Sequence, residues 1–305
     1  MKKNRAAIFK KQLPLHLMLI PGIIFTFIFS YIPLYGIIIA FEDYNPVMGF
    51  SSPWVGLKNF KYVFGLPGFV NTIWNTLYIA VFKMIGGIIV PVTFALLLNE
   101  IANVKFKRGL QTLIYLPNFL SWIIVAGLLT DILASDGIIN TALKAFGIEP
   151  IFFLGDKVWF PIVMILSDIW KSFGFGTVVY LAALTGIDPT LYEAAAVDGA
   201  RRWKQTLHIT LPGIAPTIIL MSVLSLGNVL NAGFDQIYNL YSPLVYETGD
   251  IIDTFVYRLG IEQAQYSPAT AGIAKCGFNW LAEQGNLVST GTGSMGVQNQ
   301  QMPRS

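Results

Sequence analysis

Residues 193–212 read EAAAVDGARRWKQTLHITLP, a polar stretch that joins two long apolar segments. The segment before it, residues 158–184, contains only Asp168 and Lys171 as charged residues. The segment that begins within it, residues 206–234, contains no charge. A bilayer core about 30 Å thick is crossed by about 20 apolar helical residues. We therefore interpret residues 193–212 as a polar connection between two membrane spans.

The composition of the whole chain agrees with this interpretation. Of the 305 residues, 54% are hydrophobic and 12% are charged, and the mean hydropathy is +0.59. Three further apolar stretches are long enough to span: residues 12–41, residues 73–99 with Lys83 as their one charge, and residues 109–130. The sequence therefore predicts an all-α integral membrane protein, a polytopic helical bundle with five convincing spans.

The distribution of Lys and Arg predicts the orientation, because cytoplasmic loops carry an excess of both. Eleven lie on the N-terminus and on alternate connections, namely Lys2, Lys3, Arg5, Lys10, Lys11, Lys105, Lys107, Arg108, Arg201, Arg202 and Lys204. The other connections hold Lys58, Lys61, Lys144, Lys157 and Arg258. We therefore expect a cytoplasmic basic N-terminus at residues 1–11, with residues 188–212 on the same side of a cell membrane.

Several classes of function find no support in the residues. The net charge is +3, and the basic residues line a membrane face instead of forming a continuous stripe. This pattern indicates lipid as a partner and no nucleic acid. Cys276 is the only cysteine, so an intrachain disulfide or a CxxC metal site is impossible. We predict no metal site, no catalytic residue and no cofactor bound by this chain.

Local signals around residues 188–212 predict two helices joined by a turn. Asp188 followed by Pro189 is typical of a helix start, and we expect a helix over residues 189–198. Gly199 can adopt the left-handed conformation that ends a helix. A second helix is expected over residues 201–209, with Pro212 blocking its inward continuation. We call residues 188–212 the elbow.

The elbow resembles the EAA motif of permease subunits in binding-protein-dependent ABC importers. The matching residues are Glu193, Ala194, Ala195, Gly199, Ile209, Leu211 and Pro212. In that family the motif sits in a cleft on the ATPase and transmits its closure to the membrane spans. The small residues then permit close seating, and Glu193, Asp198 and Arg202 are expected to supply polar pairing there. Arg201 replaces a small hydroxyl residue of the family, which weakens the cap of the second helix.

The resemblance covers roughly residues 10–271 and is closest to sugar permeases of the maltose-type class, in the LplB-type branch linked to oligosaccharide and polysaccharide fragments. It is carried by LIPGIIFTFIFSYIPLYGIIIAFEDYN, WVGLKNFKYVF and DIWKSFGFGTVVYLAALTGIDPTLYEAAAVDGA. It implies a six-span type I ABC importer permease in a bacterial membrane. It also implies a heterodimer with a second permease subunit, an ABC ATPase dimer and an extracellular solute-binding protein. The chain has no G-x-x-x-x-G-K-[ST] motif, so ATP and magnesium are expected on the partner ATPase.

The end of the sequence departs from that pattern. In the family QYSPATA, here residues 265–271, leads into the last span, whereas residues 275–305 of this chain are polar. We expect a permease domain over residues 12–274 and interpret the tail as foreign to the family, through a frameshift or a gene-calling error. The alternative reading frames after the Ala271 codon should then encode about 20 apolar residues.

Candidates for the substrate path are the polar and aromatic residues of the fourth and fifth spans. Asp168 and Lys171 lie three residues apart on one helical face, either as a structural ion pair or as part of the path. Trp170 can stack on a sugar ring or fill a core. Asn228 and Asn231, which we place on the fifth span, can hydrogen-bond hydroxyl groups or join helices.

Two other classes compete with the importer. A secondary transporter of a small polar solute also has many spans, but it should show repeated broken-helix halves, and the sequence has no internal repeat. A membrane-embedded transferase needs clustered carboxylates or a nucleophile, and Asp168 stands alone. Co-purification with an ATPase and a second permease separates the importer from both.

Overall fold

A computed structural model describes residues 17–227 and 229–274. The described residues are helical apart from connecting segments and one isolated bridge between Glu42 and Trp54, so the predicted all-α class is confirmed. The basic N-terminus (residues 1–11) and the polar tail (residues 275–305) lie outside the described residues. The predicted frameshift and the predicted domain limits therefore stay predictions.

The helices follow one another along the chain with short connections. In chain order they are α1 (Leu17–Phe41), α2 (Lys58–Gly65), α3 (Phe69–Asn99), α4 (Val104–Tyr115), α5 (Trp122–Leu133), α6 (Ile138–Ala145), α7 (Trp159–Leu184), α8 (Pro189–Val197), α9 (Arg202–Leu226), α10 (Phe234–Leu240), α11 (Tyr246–Gly249) and α12 (Ile252–Tyr257). Within the described part of the chain, five helical stretches are long and apolar enough to cross a membrane. They are α1, α3, α7, α9 and Trp122–Ala145, which joins α5 and α6.

The third predicted span is wrong in its limits. Residues 109–130 do not form one helix: α4 ends at Tyr115, a 3-10 turn follows at Leu116–Phe119, and α5 begins at Trp122. Pro117 has no N–H for a continuing helix, and the Ser121 side chain accepts a hydrogen bond from the N–H of Ile124 at 3.4 Å, which caps a new helix. Hydropathy alone does not detect this break, because both halves are apolar.

The fifth predicted span also differs from the structure. Helix α9 begins at Arg202, earlier than the predicted residue 206, and ends at Leu226, well before residue 234. A non-helical connection follows, and Gly233 adopts a left-handed φ of +94° immediately before α10. The predicted span is too long because the apolar sequence continues past the end of α9.

The chain divides into two compact units, of which the first comprises residues 1–66 and 256–305. In its described part, the Asn59 side chain donates to the carbonyl oxygens of Ala40 and Glu42 at 3.0 and 2.8 Å, which anchors α2 to the end of α1. The N–H of Tyr44 donates to the Ser267 hydroxyl at 2.9 Å. Residues 266–274 are helical, as expected for the start of a further span.

The second unit, residues 67–255, is built around α3 and α7. Small residues let these helices and α4 approach closely, as is typical of membrane bundles. A Cβ atom on Gly174 of α7 would lie 2.1 Å from the carbonyl oxygen of Ile114 in α4. The rings of Phe94 and Phe173 pack at 4.8 Å. Helix α9 joins this core through Ile214, which is buried against Val92 and Leu184 among others.

Candidate functional site

The first helix of the elbow begins and ends as its sequence predicts. The Asp188 carboxylate accepts a hydrogen bond from the N–H of Thr190 at 2.9 Å, and Pro189 takes the first helical position. These hydrogen bonds from Thr190 hold the pKa of the Asp188 carboxyl below its usual value, because they stabilise its charged form. At the other end Gly199 has a φ of +74°, and the N–H of Ala200 reaches the carbonyl of Ala195 at 2.9 Å.

The second helix of the elbow corrects one prediction. Pro212 does not stop it, because α9 runs without a break from Arg202 into the fifth span. A π-helical turn at Thr206–Thr210 ends two residues before the proline, and the N–H of Leu211 donates to the carbonyl of Thr206. The widened turn changes the hydrogen-bond register where Pro212 lacks an N–H, so the helix continues. Arg201 precedes α9 without a side-chain cap, as its side chain predicts.

Three side-chain contacts hold the elbow in place. The Tyr192 hydroxyl lies 3.0 Å from the Thr210 hydroxyl, so it ties α8 to α9. Gln205 donates to the carbonyl of Ala200 at 3.0 Å, which closes the turn between the helices. Arg202 forms an ion pair with Glu100, beyond the end of α3, at 2.9 Å. Besides its chain connections to α7 and to the span in α9, the elbow is thus also attached to the end of α3.

The face of the elbow away from these contacts is exposed and partly apolar. Val197 is 89% exposed and Trp203 is 77% exposed, although neither residue was predicted to belong to the site. Glu193, Ala194, Asp198 and Pro212 are also exposed, while Ala195, Ile209 and Leu211 are partly buried. Two large apolar residues beside small and charged ones form a surface suited to a protein partner.

A network of polar side chains lies inside the second unit, between α3, α7 and α10. The ammonium of Lys83, which is 9% exposed, donates to the carbonyl of Ala232 at 2.7 Å and to the side-chain oxygen of Gln236. It also lies 3.5 Å from the Asp168 carboxylate. Asp168 therefore pairs with Lys83 and not with Lys171, because α3 brings an ammonium closer than its own helix does.

Gln236 completes this network, although it was not among the predicted site residues. Its side chain is fully buried and donates to the carbonyl of Met164 at 2.8 Å and to the Ser167 hydroxyl at 2.7 Å. The signal available in the sequence was Lys83, the one charge within residues 73–99, since a buried ammonium requires acceptors. No spacing rule identifies Gln236 as one of them.

Lys171 occupies a different environment from Asp168. Its ammonium donates to the carbonyl of Asn118 at 3.2 Å, in the break between α4 and α5, and lies 5.2 Å from the ring centre of Trp122. None of the ion pairs within the described ranges involves Lys171. Trp170, next to it, is 42% exposed. A cation that is partly buried without a carboxylate partner is available to an anionic ligand.

Of the two asparagine candidates, Asn231 is not on the fifth span as predicted. Asn231 lies in the connection after α9, is exposed, and accepts a hydrogen bond from the N–H of Gly233 at 3.2 Å. Asn228 lies outside the described residues. Asn231 therefore belongs to the same connection that delivers Ala232 to Lys83.

Among residues 17–227 and 229–274, no group of three or more His, Cys, Asp or Glu side chains is placed to hold a metal ion. Membrane-length helices identify a polytopic membrane protein, and intramembrane charges of this kind are typical of transport paths.

Comparison with known proteins identifies the family. Residues 87–274 match the model of the binding-protein-dependent transport system inner membrane component, so the chain belongs to that family. It is therefore a permease subunit of a transport system and an inner-membrane component. This membership decides against the secondary transporter and the membrane-embedded transferase.

Close relatives confirm the predicted branch. The chain is 44% identical over 263 residues to the polygalacturonan/rhamnogalacturonan transport system permease protein YteP of Bacillus subtilis, covering 86% of this chain and 82% of the relative. It is 43% identical over 267 residues to Protein LplB of the same organism, covering 87% and 84%. A solved structure of a bacterial ABC transporter involved in import of the acidic polysaccharide alginate matches with a TM-score of 0.84 at 39% identity, covering 92% of this chain and 95% of that one.

Proposed function

We propose that this chain forms one half of the passage of an ATP-driven importer for acidic oligosaccharides, and that the elbow couples the passage to ATP hydrolysis. The observation that carries the coupling is the exposed face of the elbow, with Val197 and Trp203 beside the EAA residues. Apolar side chains so exposed at the end of a membrane bundle favour burial against another protein.

The proposed assembly contains a second permease subunit, two ATPase subunits that bind ATP and magnesium, and an extracellular solute-binding protein. The family description and the LplB-type relatives support this set. The excess of basic residues on the N-terminal side supports a cytoplasmic N-terminus and a cytoplasmic elbow. The ATPase subunits then lie on the side where Val197 is exposed.

The proposed mechanism transmits force through short, hydrogen-bonded connections. Helix α8 follows α7 after a short connection that ends in the Asp188 cap, and the contact between Tyr192 and Thr210 fixes α8 to α9. Because α9 continues unbroken from Arg202 to Leu226, a push on the elbow moves the whole fifth span. Closure of the ATPase dimer then rocks α7 and α9 between inward and outward access.

Replacing Val197 with aspartate tests the docking surface. The side chain is 89% exposed, so Val197→Asp should leave insertion unchanged, whereas a charge buried against the ATPase should weaken association severalfold. The measurement is the amount of ATPase and second permease recovered with the purified chain. Val47→Asp is a matched control, because Val47 is 93% exposed in another connection. Equal ATPase recovery with both variants would show that the elbow does not dock there.

The charge of the passage supports an acidic substrate. The charged residues of α3 and α7 are Lys83, Asp168 and Lys171, and the pairing of the first two leaves Lys171 as a net positive charge between these helices. A carboxylate on a sugar can replace the carbonyl of Asn118 as its partner. The names of YteP and of the alginate transporter, both concerned with uronate polysaccharides, agree with this charge. We propose that Lys171 contacts the sugar carboxylate, with Trp170, Asp168, Asn228 and Asn231 along the path.

Lys171→Met tests the substrate class. We expect the half-saturating concentration for a galacturonate trisaccharide to rise about tenfold, equivalent to about 1.4 kcal/mol, because one charge-assisted hydrogen bond is lost. Uptake is measured with the complete transporter in proteoliposomes. Lys157→Met, which removes an exposed ammonium paired with Glu247, serves as the control. If the transporter prefers a neutral trisaccharide of the same length, the substrate proposal is wrong while the coupling proposal stands.

A further inference from the structure

We propose that Lys83 is a positioning residue, whose buried ammonium holds the chain after α9 at mid-depth in the membrane and thereby sets the position of Asp168. The proposal rests on the proposed function only in that this segment borders the passage. The positions of Lys83 along α3 and of Leu226 at the end of α9 indicate the depth of the ammonium in the membrane.

Lys83 lies near the middle of α3, the longest helix among the described residues. Helix α3 has 31 residues, and at a rise of about 1.5 Å per residue Lys83 is about 21 Å from the Phe69 end and about 24 Å from the Asn99 end. Mid-depth in the bilayer is where an unpaired charge costs most. Its partners must therefore be supplied by the protein.

The chain after α9 turns back toward this depth. Helix α9 has 25 residues, so it is about 37 Å long, and its first residue, Arg202, pairs with Glu100 at the end of α3. Measured along the two helices from this ion pair, Leu226 is about 10 Å farther away than Lys83 is. Yet Ala232, six residues later, accepts a hydrogen bond from the Lys83 ammonium. The connection after Leu226 is re-entrant, and α10 then leads outward again.

Contacts nearer the start of α3 show that the chain leaves this depth again after Ala232. Asn75, eight residues before Lys83, donates to the carbonyls of Glu247 and Asp250 at 3.0 and 3.2 Å. Eight residues of α3 rise about 12 Å, and the seven residues of α10 rise about 10 Å. Between Ala232 and Glu247 the chain therefore passes from the level of Lys83 to the level of Asn75, with α10 packed against α5 and α7.

A non-helical segment at this depth needs every polar backbone group satisfied, because lipid offers no hydrogen bonds. Lys83 satisfies the carbonyl of Ala232, and Gln236 links the start of α10 to Met164 and Ser167 of α7. The three donors of the ammonium face one acceptor each: Ala232, Gln236 and Asp168. Its charge is balanced by Asp168, whose side chain is 30% exposed. Asp168 is thus the accessible end of a buried clamp.

Gly233 shows how closely the segment is fitted to the ammonium. A Cβ atom at this position would lie 2.9 Å from the Lys83 nitrogen, and the φ of +94° disfavours any other residue. The backbone therefore comes against the ammonium itself, as a positioning contact requires.

The test measures release of the segment by alkylation of a buried thiol. Ala232 is fully buried, so in the complete transporter carrying Cys276→Ser, a cysteine introduced by Ala232→Cys should react slowly with N-ethylmaleimide. Adding Lys83→Met should raise the rate at least tenfold, and Lys83→Arg should raise it less. Lys157→Met is the control for loss of a paired ammonium and should leave the rate unchanged. An equal alkylation rate with and without Lys83→Met would overturn the proposal.

A transport measurement separates positioning from mere folding. Lys83→Met should lower the maximal uptake rate per assembled transporter at least tenfold, and Lys83→Arg should restore at least a third of it. A loss confined to the amount of assembled transporter, with an unchanged rate per transporter, would contradict the positioning role. If Lys83→Met does not assemble, Gln236→Met removes the bonds to α7 and should also accelerate alkylation at least fivefold; no acceleration would again overturn the proposal. Alkylation needs no substrate, so a failed substrate proposal does not affect it.

Discussion

At the scale of single residues, Gly199 controls the angle between the two helices of the elbow. Its φ of +74° costs a residue with a side chain about 1–2 kcal/mol, although no atom stands within 4 Å of a Cβ there. The cost therefore comes from the backbone and not from packing. A side chain at this position acts on the turn alone.

Gly199→Val should leave membrane insertion unchanged while it lowers uptake and transport-coupled ATP hydrolysis severalfold, because the turn no longer holds α8 in place. Gly199→Asn should retain most of the activity, since asparagine adopts the left-handed conformation more readily. Gly147→Val is the matched control: Gly147 has a φ of +77° and equally open surroundings, but it lies outside the elbow. Equal losses from both valine variants would indicate general destabilisation rather than uncoupling.

At the scale of helices, α4 and α7 approach each other through Gly174. The Cβ atom of an alanine there would lie 2.1 Å from the carbonyl oxygen of Ile114, and backbone cannot move aside as a side chain does. Overpacking of this kind costs about 1–3 kcal/mol. The close approach also sets the position of the break between α4 and α5, where Asn118 meets Lys171.

Gly174→Ala should therefore lower the thermal midpoint of the detergent-solubilised transporter by several degrees. Gly87→Ala in α3 is the control, because no atom lies within 4 Å of its Cβ position and alanine is the better helix former. The midpoint of Gly87→Ala should be equal to or higher than that of the unaltered chain. A Gly174→Ala midpoint within error of this control would contradict the close helix contact.

At the scale of the whole molecule, two carboxyl groups outside the spans respond to pH in opposite directions. Burial raises the pKa of the Asp253 carboxyl, because desolvation disfavours its charge. Its contribution to stability is therefore present below the ordinary aspartate pKa and is lost as pH rises through the raised value. Hydrogen bonds from Thr190 lower the pKa of Asp188, so the stabilisation it provides is present at neutral pH and is lost only as pH falls through the lowered value.

Asp253→Asn removes a charge that the fold disfavours. The thermal midpoint of this variant minus that of the unaltered chain should be larger at pH 8 than at pH 5. The reason is that the aspartate becomes charged as pH rises, whereas the asparagine does not. The measurement is the midpoint of the purified transporter at both pH values. Asp136→Asn removes an exposed carboxylate and should show no such difference. A pH-independent effect of Asp253→Asn would mean that the carboxyl is not desolvated in the fold.

The sequence alone determined the membrane class, the number of spans within the described residues and the first helix of the elbow. Hydropathy acts through the lipid on about 20 consecutive residues, and the capping by Asp188 and the turn at Gly199 depend on residues a few positions apart. Only the tertiary structure decided that the third span breaks after Tyr115, that α9 passes through Pro212, and that Asp168 pairs with Lys83. Lys83 meets Gln236 across 153 positions of sequence, and no local pattern encodes such a contact. The contact forms because a buried ammonium is costly unless it donates hydrogen bonds to acceptors. Only the packing of α3, α7 and α10 determines which acceptors lie within hydrogen-bonding distance of Lys83.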